Sequence, residues 1–294
     1  RGAADEVWAR FYIEHTRHGL FFWAEQNGVK WIELKFQEGN SVDRWHRPDG
    51  SGFGIMAALI KSLQAKQAAD VFTGTRVEKL VSEQGRACGV IARKVATGEL
   101  LEIRAKTVVV TTGGFCGNLD MVLEAKPELR GRKIMVGSGR GATGSGHTLI
   151  REHGAYFTHM EDIWFYVYAT PDYRDESGLR GVVFREVPGY IWVNQQGRRF
   201  HDESRSGGAS GSPALMRQDP PHAWAILDAA MAANMTVTDP YYQPGGRTNR
   251  AKVQELLDHS PFIMKASTLG ELARKMAVDG RVFVDEVNRY NNAF

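Results

Sequence analysis

Apolar residues recur at helical spacing over the first part of the chain. Residues 6–28 place apolar side chains three and four positions apart and end at Asn27-Gly28, a common helix stop. This pattern predicts one helix over 6–28. A short alternating run predicts a strand over 29–36, and a turn-rich polar stretch then leads into a second predicted helix over 54–69.

The middle of the chain is rich in β-branched residues. Residues 70–84 and 85–95 each predict a strand. The run TVVVTT over 107–112 is almost wholly β-branched and ends at Gly113-Gly114. An apolar run of this length bounded by a turn is typical of a strand buried on both faces of a sheet, so we predict such a strand here.

The second half alternates predicted strands and helices. A helix and loop are predicted over 117–135, a helix over 146–155, and a turn of the hairpin type at 194–197. The closing part predicts a strand passing into a helix over 222–231, then two helices, the first with an N-cap at Ser267. The remaining strand-like runs are 155–160, 163–170, 181–186 and 189–194. The mixture predicts the α/β class.

Composition narrows the class of protein. The 294 residues carry 37 Lys and Arg against 34 Asp and Glu, a formal net charge of +3. Without a basic block, this near balance argues against nucleic-acid binding. The two cysteines, Cys88 and Cys116, fit neither a disulfide framework nor a metal site, which favours a reducing, cytoplasmic compartment. No apolar run is long enough for a membrane span.

One glycine-rich stretch admits two interpretations. Residues 139–144, GRGATG, match the GxGxxG pattern of a dinucleotide-binding turn, and the acidic pair Glu161-Asp162 follows at about the distance of a ribose-binding carboxylate. However, the preceding run KIMV is short and flanked by charges, whereas a first Rossmann strand is longer and more apolar. The alternative is a glycine-rich loop before a helix, whose backbone amides can contact an anion.

One turn and four ordered blocks resemble the succinate dehydrogenase/fumarate reductase flavoprotein family, which includes the 3-ketosteroid dehydrogenases. The last block, residues 267–291, resembles the end of the family's cap domain. HRPDGSGFG over 46–54 resembles H-R-P-x-G-G-x-G-x-G, and TTGGF over 111–115 resembles the family's A-T-G-G-F turn. GATGSGHTLIREHGA over 141–155 resembles G-x-x-G-D-G-x-x-x-A-x-x-x-G-A, and YIWVNQQGRRFHDES over 190–204 resembles I-x-V-N-x-x-G-x-R-F-x-N-E.

The resemblance implies a fold and a cofactor. It implies α/β architecture, with a partial FAD-binding, Rossmann-like domain over 1–163 and an α+β cap domain over 164–294. It implies FAD as the cofactor, without a metal. The residues it places against FAD are Val77, Thr111, Thr112, Gly113, Gly114, Gly144 and Ser145.

The chain departs from the family at several positions. Ser145 stands where the family has a flavin-contacting Asp, so one hydrogen bond remains possible but the charge is lost. The family's own N-terminal GxGxxG and its C-terminal return segment do not match any part of this sequence, which resembles the middle of a longer protein. The His of the fumarate reductases has no counterpart near 167–171.

The resemblance also suggests catalytic and substrate-binding residues. Arg205 follows the motif's Glu203 by two positions and is a candidate for proton donation or carboxylate capture; a solvated loop arginine is the alternative. Tyr166 and Tyr168 are candidates for proton transfer in an apolar pocket. The alternative is that they belong to a core or interface strand. Arg185 and Glu186 are candidates for binding the substrate.

The expected function is hydride transfer between flavin and a carbon–carbon bond next to a carbonyl or carboxylate. The expected partners are a small molecule, either an enone, a steroid-like compound or a dicarboxylate, and an unidentified electron donor or acceptor. Two alternatives remain open from the residues: a non-catalytic fragment of a degraded flavoprotein, and a nicotinamide-dinucleotide site at GRGATG.

Overall fold

The structure, a computed structural model, describes residues 5–36, 41–67, 69–137, 139–166, 169–185, 187, 189–205 and 210–293. Contacts divide the chain into two compact units. The first unit contains Arg1–Asp70, Phe184–His259 and Ile263–Phe294, and the second contains Val71–Val183 and Ser260–Phe262. The predicted boundary at 163/164 divides the chain by function, into a flavin-binding and a substrate-binding part. The two compact units do not test this functional division.

The helices follow the predicted order. The helix predicted over 6–28 is confirmed as one continuous run in which a π-helical turn, Arg17–Phe22, joins α1 to α2. The ten α-helices of the described residues are α1 Glu6–Thr16, α2 Trp23–Gln26, α3 Ser51–Lys66, α4 Leu119–Ala125, α5 Ser145–Arg151, α6 Ser212–Met216, α7 Ala229–Asn234, α8 Arg250–His259, α9 Leu269–Met276 and α10 Gly280–Asn291.

The strands are short apart from two. Those of the described residues are β1 Trp31–Lys35, β2 Trp45–Pro48, β3 Thr75–Glu83, β4 Arg86–Lys94, β5 Leu100–Arg104, β6 Ala169–Pro171, β7 Gly181–Arg185, β8 Ile191–Val193, β9 Trp224–Ile226 and β10 Thr236–Thr238. The antiparallel partners are β1 with β2, β6 with β7, and β8 with β9.

The second unit is built around a three-stranded antiparallel sheet, β3-β4-β5. Glu83 pairs with Arg86, so only Gln84 and Gly85 form the connecting turn, and both have positive φ, 51° and 78°. Two consecutive positive φ angles are typical of the type I′ turn that suits the twist of a hairpin. The strands predicted over 70–84 and 85–95 are therefore confirmed as this hairpin.

The buried strand predicted over 107–112 is wrong. Residues 107–114 have no regular structure, and the Val109 side chain is 77% exposed. A strand is held by ladder hydrogen bonds to a neighbour, and none of the described strands pairs with this stretch. The β-branched composition is therefore insufficient here. The strand predicted over 155–160 is wrong as well, and in the described part of 163–170 only Ala169 and Thr170 lie in a strand.

The principal core of the first unit lies under its last two helices. Ile191 and Val193 of β8 pack with α9 and α10, whose buried side chains recur three and four residues apart, as Ala273 with Met276 and Phe283 with Val287. The two closing helices predicted from the sequence are confirmed. Their structure corrects one detail, since Thr268, and not Ser267, caps α9 by accepting the backbone N–H of Glu271.

Helix α9 ends on a strained residue, which gives a testable prediction. Ala277 has a φ of 57°, in the left-handed region where glycine carries no steric penalty. We expect Ala277→Gly to raise the free energy of unfolding by about 1 kcal/mol. Urea denaturation would measure this change. Ala273→Gly, at a buried right-handed position of the same helix, is the control and should destabilise; a loss of stability with Ala277→Gly would contradict the assignment of strain.

Candidate functional site

A backbone turn and a glycine-rich loop meet in the second unit. The turn is Thr111–Gly114, and the loop is 139–146. The backbone N–H of Gly144 donates to the carbonyl of Gly114 at 3.1 Å, and the N–H of Gly117 donates to the carbonyl of Ala142 at 2.7 Å. The structure thus brings together six of the seven residues predicted to bind the cofactor.

Glycine is required where these two segments approach. Gly144 has a φ of +74°, and a Cβ there would lie 3.0 Å from the Cβ of Phe115 and 2.2 Å from the sulfur of Met121. A Cβ on Gly146 would lie 1.9 Å from Oγ1 of Thr112. Only a backbone without a side chain allows α5 to start this close to the turn.

The outer side of the turn and of the start of α5 is exposed. All four residues of the turn are exposed, as is Ser145, the first residue of α5. Gly113 has a φ of +77°, and a Cβ at Gly113 or Gly114 would meet no atom within 4 Å. The edge therefore presents bare backbone and small hydroxyl side chains to a ligand.

Aromatic rings support this edge from behind. The His147 ring lies 5.4 Å from the buried Phe115 ring and 5.7 Å from the Phe157 ring, measured between centroids. Burial raises the pKa of the neighbouring Cys116 thiol, which disfavours its reactive thiolate form. These rings pack behind the turn and support it.

The glycines of GRGATG are not equivalent. A Cβ added at Gly139 or Gly141 would meet open space, and neither residue has a positive φ, whereas Gly144 is enclosed. The segment before them forms a single parallel bridge, Val136 with Arg180. A first Rossmann strand needs a longer buried ladder, so the geometry favours the loop interpretation over a nicotinamide-dinucleotide turn.

The other predicted site residues come from segments of the chain outside this turn and loop. Val77 lies on β3, opposite Ala92, with 39% of its surface exposed. Tyr166 is 40% exposed and stacks on Trp164, with ring centroids 5.8 Å apart, but it is not in a strand. Tyr168 and Glu186 lie outside the described residues.

The two candidate arginines belong to the first unit. Arg185 is the exposed last residue of β7. Arg205 is exposed, with Nε 3.5 Å from a carboxylate oxygen of Asp202. The roles predicted for all of these residues stay predictions.

Sequence reasoning missed an ion pair in the first unit that includes a buried carboxylate. Arg199 and Glu203 are joined at 2.5 Å between Nη2 and Oε2, and only 5% of the Glu203 side chain is exposed. The four-residue spacing of opposite charges was a signal in the sequence, but such pairs are usually solvated. His201, whose place in the sequence is typical of a surface residue, stacks on the buried Trp192, with centroids 5.1 Å apart.

The second unit also holds a polar cleft of about 330 Å³. Its lining residues are Arg140, Asp172, Arg174, Asp175, Glu176 and Ser177. Asp172 is buried and paired with Arg174, and Asp175 accepts the backbone N–H groups of Leu179 and Arg180, so both carboxylates are committed to the loop itself. Across the described ranges, no set of three His, Cys, Asp or Glu side chains could hold a metal ion.

Comparison with known proteins decides the family. The family described as "FAD binding domain" matches residues 3–292. The chain belongs to this FAD-binding family. Among curated relatives, an NADH:fumarate oxidoreductase of Klebsiella pneumoniae is 30% identical over 290 residues, 97% of this chain and 28% of the relative.

Solved structures support the same fold. An open conformation of a flavocytochrome c3 fumarate reductase is 26% identical, with a TM-score of 0.66 over 95% of this chain and 46% of that chain. A 3-ketosteroid-Δ4-(5α)-dehydrogenase from Rhodococcus jostii RHA1 is 20% identical, with a TM-score of 0.62 over 99% of this chain and 61% of that chain, which shows the fold alone. The chain spans less than half the length of the fumarate-reducing relatives it matches.

The membership confirms the resemblance, the α/β flavoprotein fold and FAD as the family's cofactor. The edge formed by Thr111–Gly114 and Gly144-Ser145 fits FAD, because a bound dinucleotide needs backbone that a ligand can approach closely. In the part of the chain that the structure describes, no helix has the length and apolar character needed to cross a membrane.

Proposed function

We propose that this chain is the FAD- and substrate-binding part of an oxidoreductase. It transfers hydride between flavin and a carbon–carbon bond adjacent to a carbonyl or carboxylate. The observation that carries the proposal is the Gly144–Gly114 hydrogen bond, which builds an open backbone edge at the place where the family motifs fall. Residues 1–163 serve the flavin and 164–294 the substrate, in a cytoplasmic enzyme.

The cofactor edge has a binding role. FAD, when bound, supplies the hydride chemistry. Thr111, Thr112, Gly113, Gly114, Gly144 and Ser145 hold it through backbone groups and hydroxyls, and Val77 adds a contact from β3. The Ser145 hydroxyl takes the place of a carboxylate, so the contact is a neutral hydrogen bond.

Arg205 binds and polarises the substrate. A guanidinium keeps its proton in proteins, so it is a poor proton donor but a permanent positive charge. Its two-pronged geometry matches a carboxylate, and it also stabilises charge on a ketone oxygen. Because this oxygen withdraws electrons, the double-bond carbon farther from the carbonyl or carboxylate becomes electrophilic. Arg185 and Glu186 complete the substrate contacts.

Tyr166 and Tyr168 move the proton. A tyrosine hydroxyl can donate its proton to the carbon next to the one that accepts hydride. In the opposite direction the tyrosinate accepts that proton. The atoms balance, since one hydride and one proton are added to, or removed from, the two carbons.

The first experiment is the visible absorption spectrum of the purified protein with its intact mass. We expect a flavin band. The reduced protein would then be mixed anaerobically with fumarate and, separately, with 4-androstene-3,17-dione, and reoxidation followed in the same band. A protein that carries no flavin and takes none up would instead support the non-catalytic alternative.

Arg205 provides a sharper test of the mechanism. We expect Arg205→Met to lower kcat/KM by about 10- to 100-fold, because a charge-assisted contact to the substrate is lost. Steady-state kinetics on the better acceptor would measure it. The control is Arg198→Met, an exposed arginine of the preceding hairpin. Equal rates for Arg205→Met and the unmodified enzyme would show that Arg205 is only a solvated loop residue.

A further inference from the structure

The buried carboxylate of Glu203 joins a loop to a strand. It accepts the backbone N–H of Trp192, in β8, at 2.6 Å, and two guanidinium N–H groups of Arg199, Nε at 2.8 Å and Nη2 at 2.5 Å. All of these residues belong to the first unit. The Glu203 carboxylate is thereby held from two directions, by the backbone of β8 and by the Arg199 guanidinium.

Arg199 is held on its other side by the last helix. The guanidinium carbon of Arg199 lies 4.8 Å from the ring centroid of Tyr290, in α10. The hydrogen bond to Glu203 raises the pKa of Arg199, so its charge is permanent. The pair therefore connects β8, the loop after it and α10 through one fully charged contact.

Glu203 lies within a tight turn from Asp202 to Arg205. Asp202 accepts the hydroxyl of Ser204 at 2.7 Å, and its carbonyl accepts the backbone N–H of Arg205 at 3.1 Å. The hydrogen bond from Ser204 lowers the pKa of Asp202. Glu203 is thus anchored inward while Asp202 and Arg205 face the solvent.

A buried ion pair is a poor device for stability alone. The cost of removing the Glu203 carboxylate from water offsets much of its attraction to Arg199, and well-packed apolar residues often do as well. What such a pair provides is one defined geometry. Here that geometry belongs to the segment that carries Arg205, two residues away.

We propose that Glu203, through its ion pair with Arg199, is a positioning residue that sets where the Arg205 guanidinium meets the substrate. The inference rests on the proposed role of Arg205. It assigns no contact between Glu203 and the substrate and no proton transfer to Arg199. Tyr290 supports the same arrangement from α10.

A double-mutant cycle in the flavin-loaded, full-length enzyme tests the proposal. Glu203→Gln keeps an oxygen that can accept the Trp192 N–H but removes the charge that holds Arg199. We expect it to lower kcat/KM about tenfold in the protein with Arg205, and less than about twofold in the Arg205→Met background, because residues that act as one unit are not additive. Arg199→Lys, which keeps the charge but not the two-pronged contact, should fall between.

Asp172→Asn is the matched control. Asp172 is a buried carboxylate paired with Arg174 at 2.9 Å, but in the second unit. We expect it to reduce thermal stability as Glu203→Gln does while its effect on kcat/KM is the same with and without Arg205→Met. Thermal unfolding, measured in parallel, separates stability from positioning.

Each outcome decides between the two proposals. Loss of activity with Arg205→Met, together with an effect of Glu203→Gln that is equal in both backgrounds, would overturn the positioning role and leave the proposed function intact. Full activity of Arg205→Met would overturn both. A strong effect of Glu203→Gln that disappears in the Arg205→Met background supports both.

Discussion

Gly144→Val is expected to lower the free energy of unfolding by about 2–4 kcal/mol and to weaken FAD binding by about tenfold or more. A β-branched residue is strongly disfavoured at a φ of +74°, and the added Cβ would lie 3.0 Å from that of Phe115. Relief of this contact moves α5 away from the turn and breaks the Gly144–Gly114 hydrogen bond. Thermal unfolding and titration of the apoprotein with FAD would measure the two effects.

Gly141→Val is the control for this prediction. Gly141 lies in the same loop, three residues away, with no positive φ, and a Cβ added there would meet no atom within 4 Å. We expect little change in stability or in FAD binding. If Gly141→Val abolished dinucleotide binding and Gly144→Val did not, GRGATG would be a nicotinamide-dinucleotide turn after all.

Phe283→Ala is expected to lower the free energy of unfolding by about 3–5 kcal/mol. The Phe283 side chain is completely buried, and it packs with Ile191, Val193 and Met276. Truncation loses the transfer free energy of the ring and leaves a cavity, because β8 and the closing helices cannot collapse fully onto it. Chemical denaturation would measure the loss.

Phe11→Ala is the comparison for the core. Phe11 lies on α1 and is 50% exposed. We expect its truncation to change the free energy of unfolding by less than about 1 kcal/mol. Equal losses for the two phenylalanines would mean that β8, α9 and α10 do not form the principal core of the first unit.

Local pattern predicted those elements whose partners are close in the sequence. The helix over 6–26, the β3-β4 hairpin and α10 each follow from spacing and turn residues within a short stretch. The run over 107–112 shows the limit. Its β-branched residues favour a strand, but a strand also needs a neighbour, and composition carries no information about which segment lies alongside.

The candidate site was predicted in part for a similar reason. Sequence motifs predict the turn at 113–114 and the loop at 144–145. These motifs are specific because they require glycine at fixed positions. Their contact, Gly144 with Gly114, joins residues thirty positions apart and was not visible in the sequence. The Arg199–Glu203 pair was missed because its spacing is common on exposed surfaces, and only burial distinguishes it.

The contact between the turn and the loop is made by main-chain atoms, the amide of Gly144 and the carbonyl of Gly114. Side-chain chemistry at the neighbouring positions is therefore free to change without loss of this contact, provided that no bulk is added at Gly144 itself. Serine at position 145, where the related pattern has aspartate, is a change of this kind. A cofactor edge built from backbone separates the shape of the site, which is fixed, from its charge, which can be tuned residue by residue.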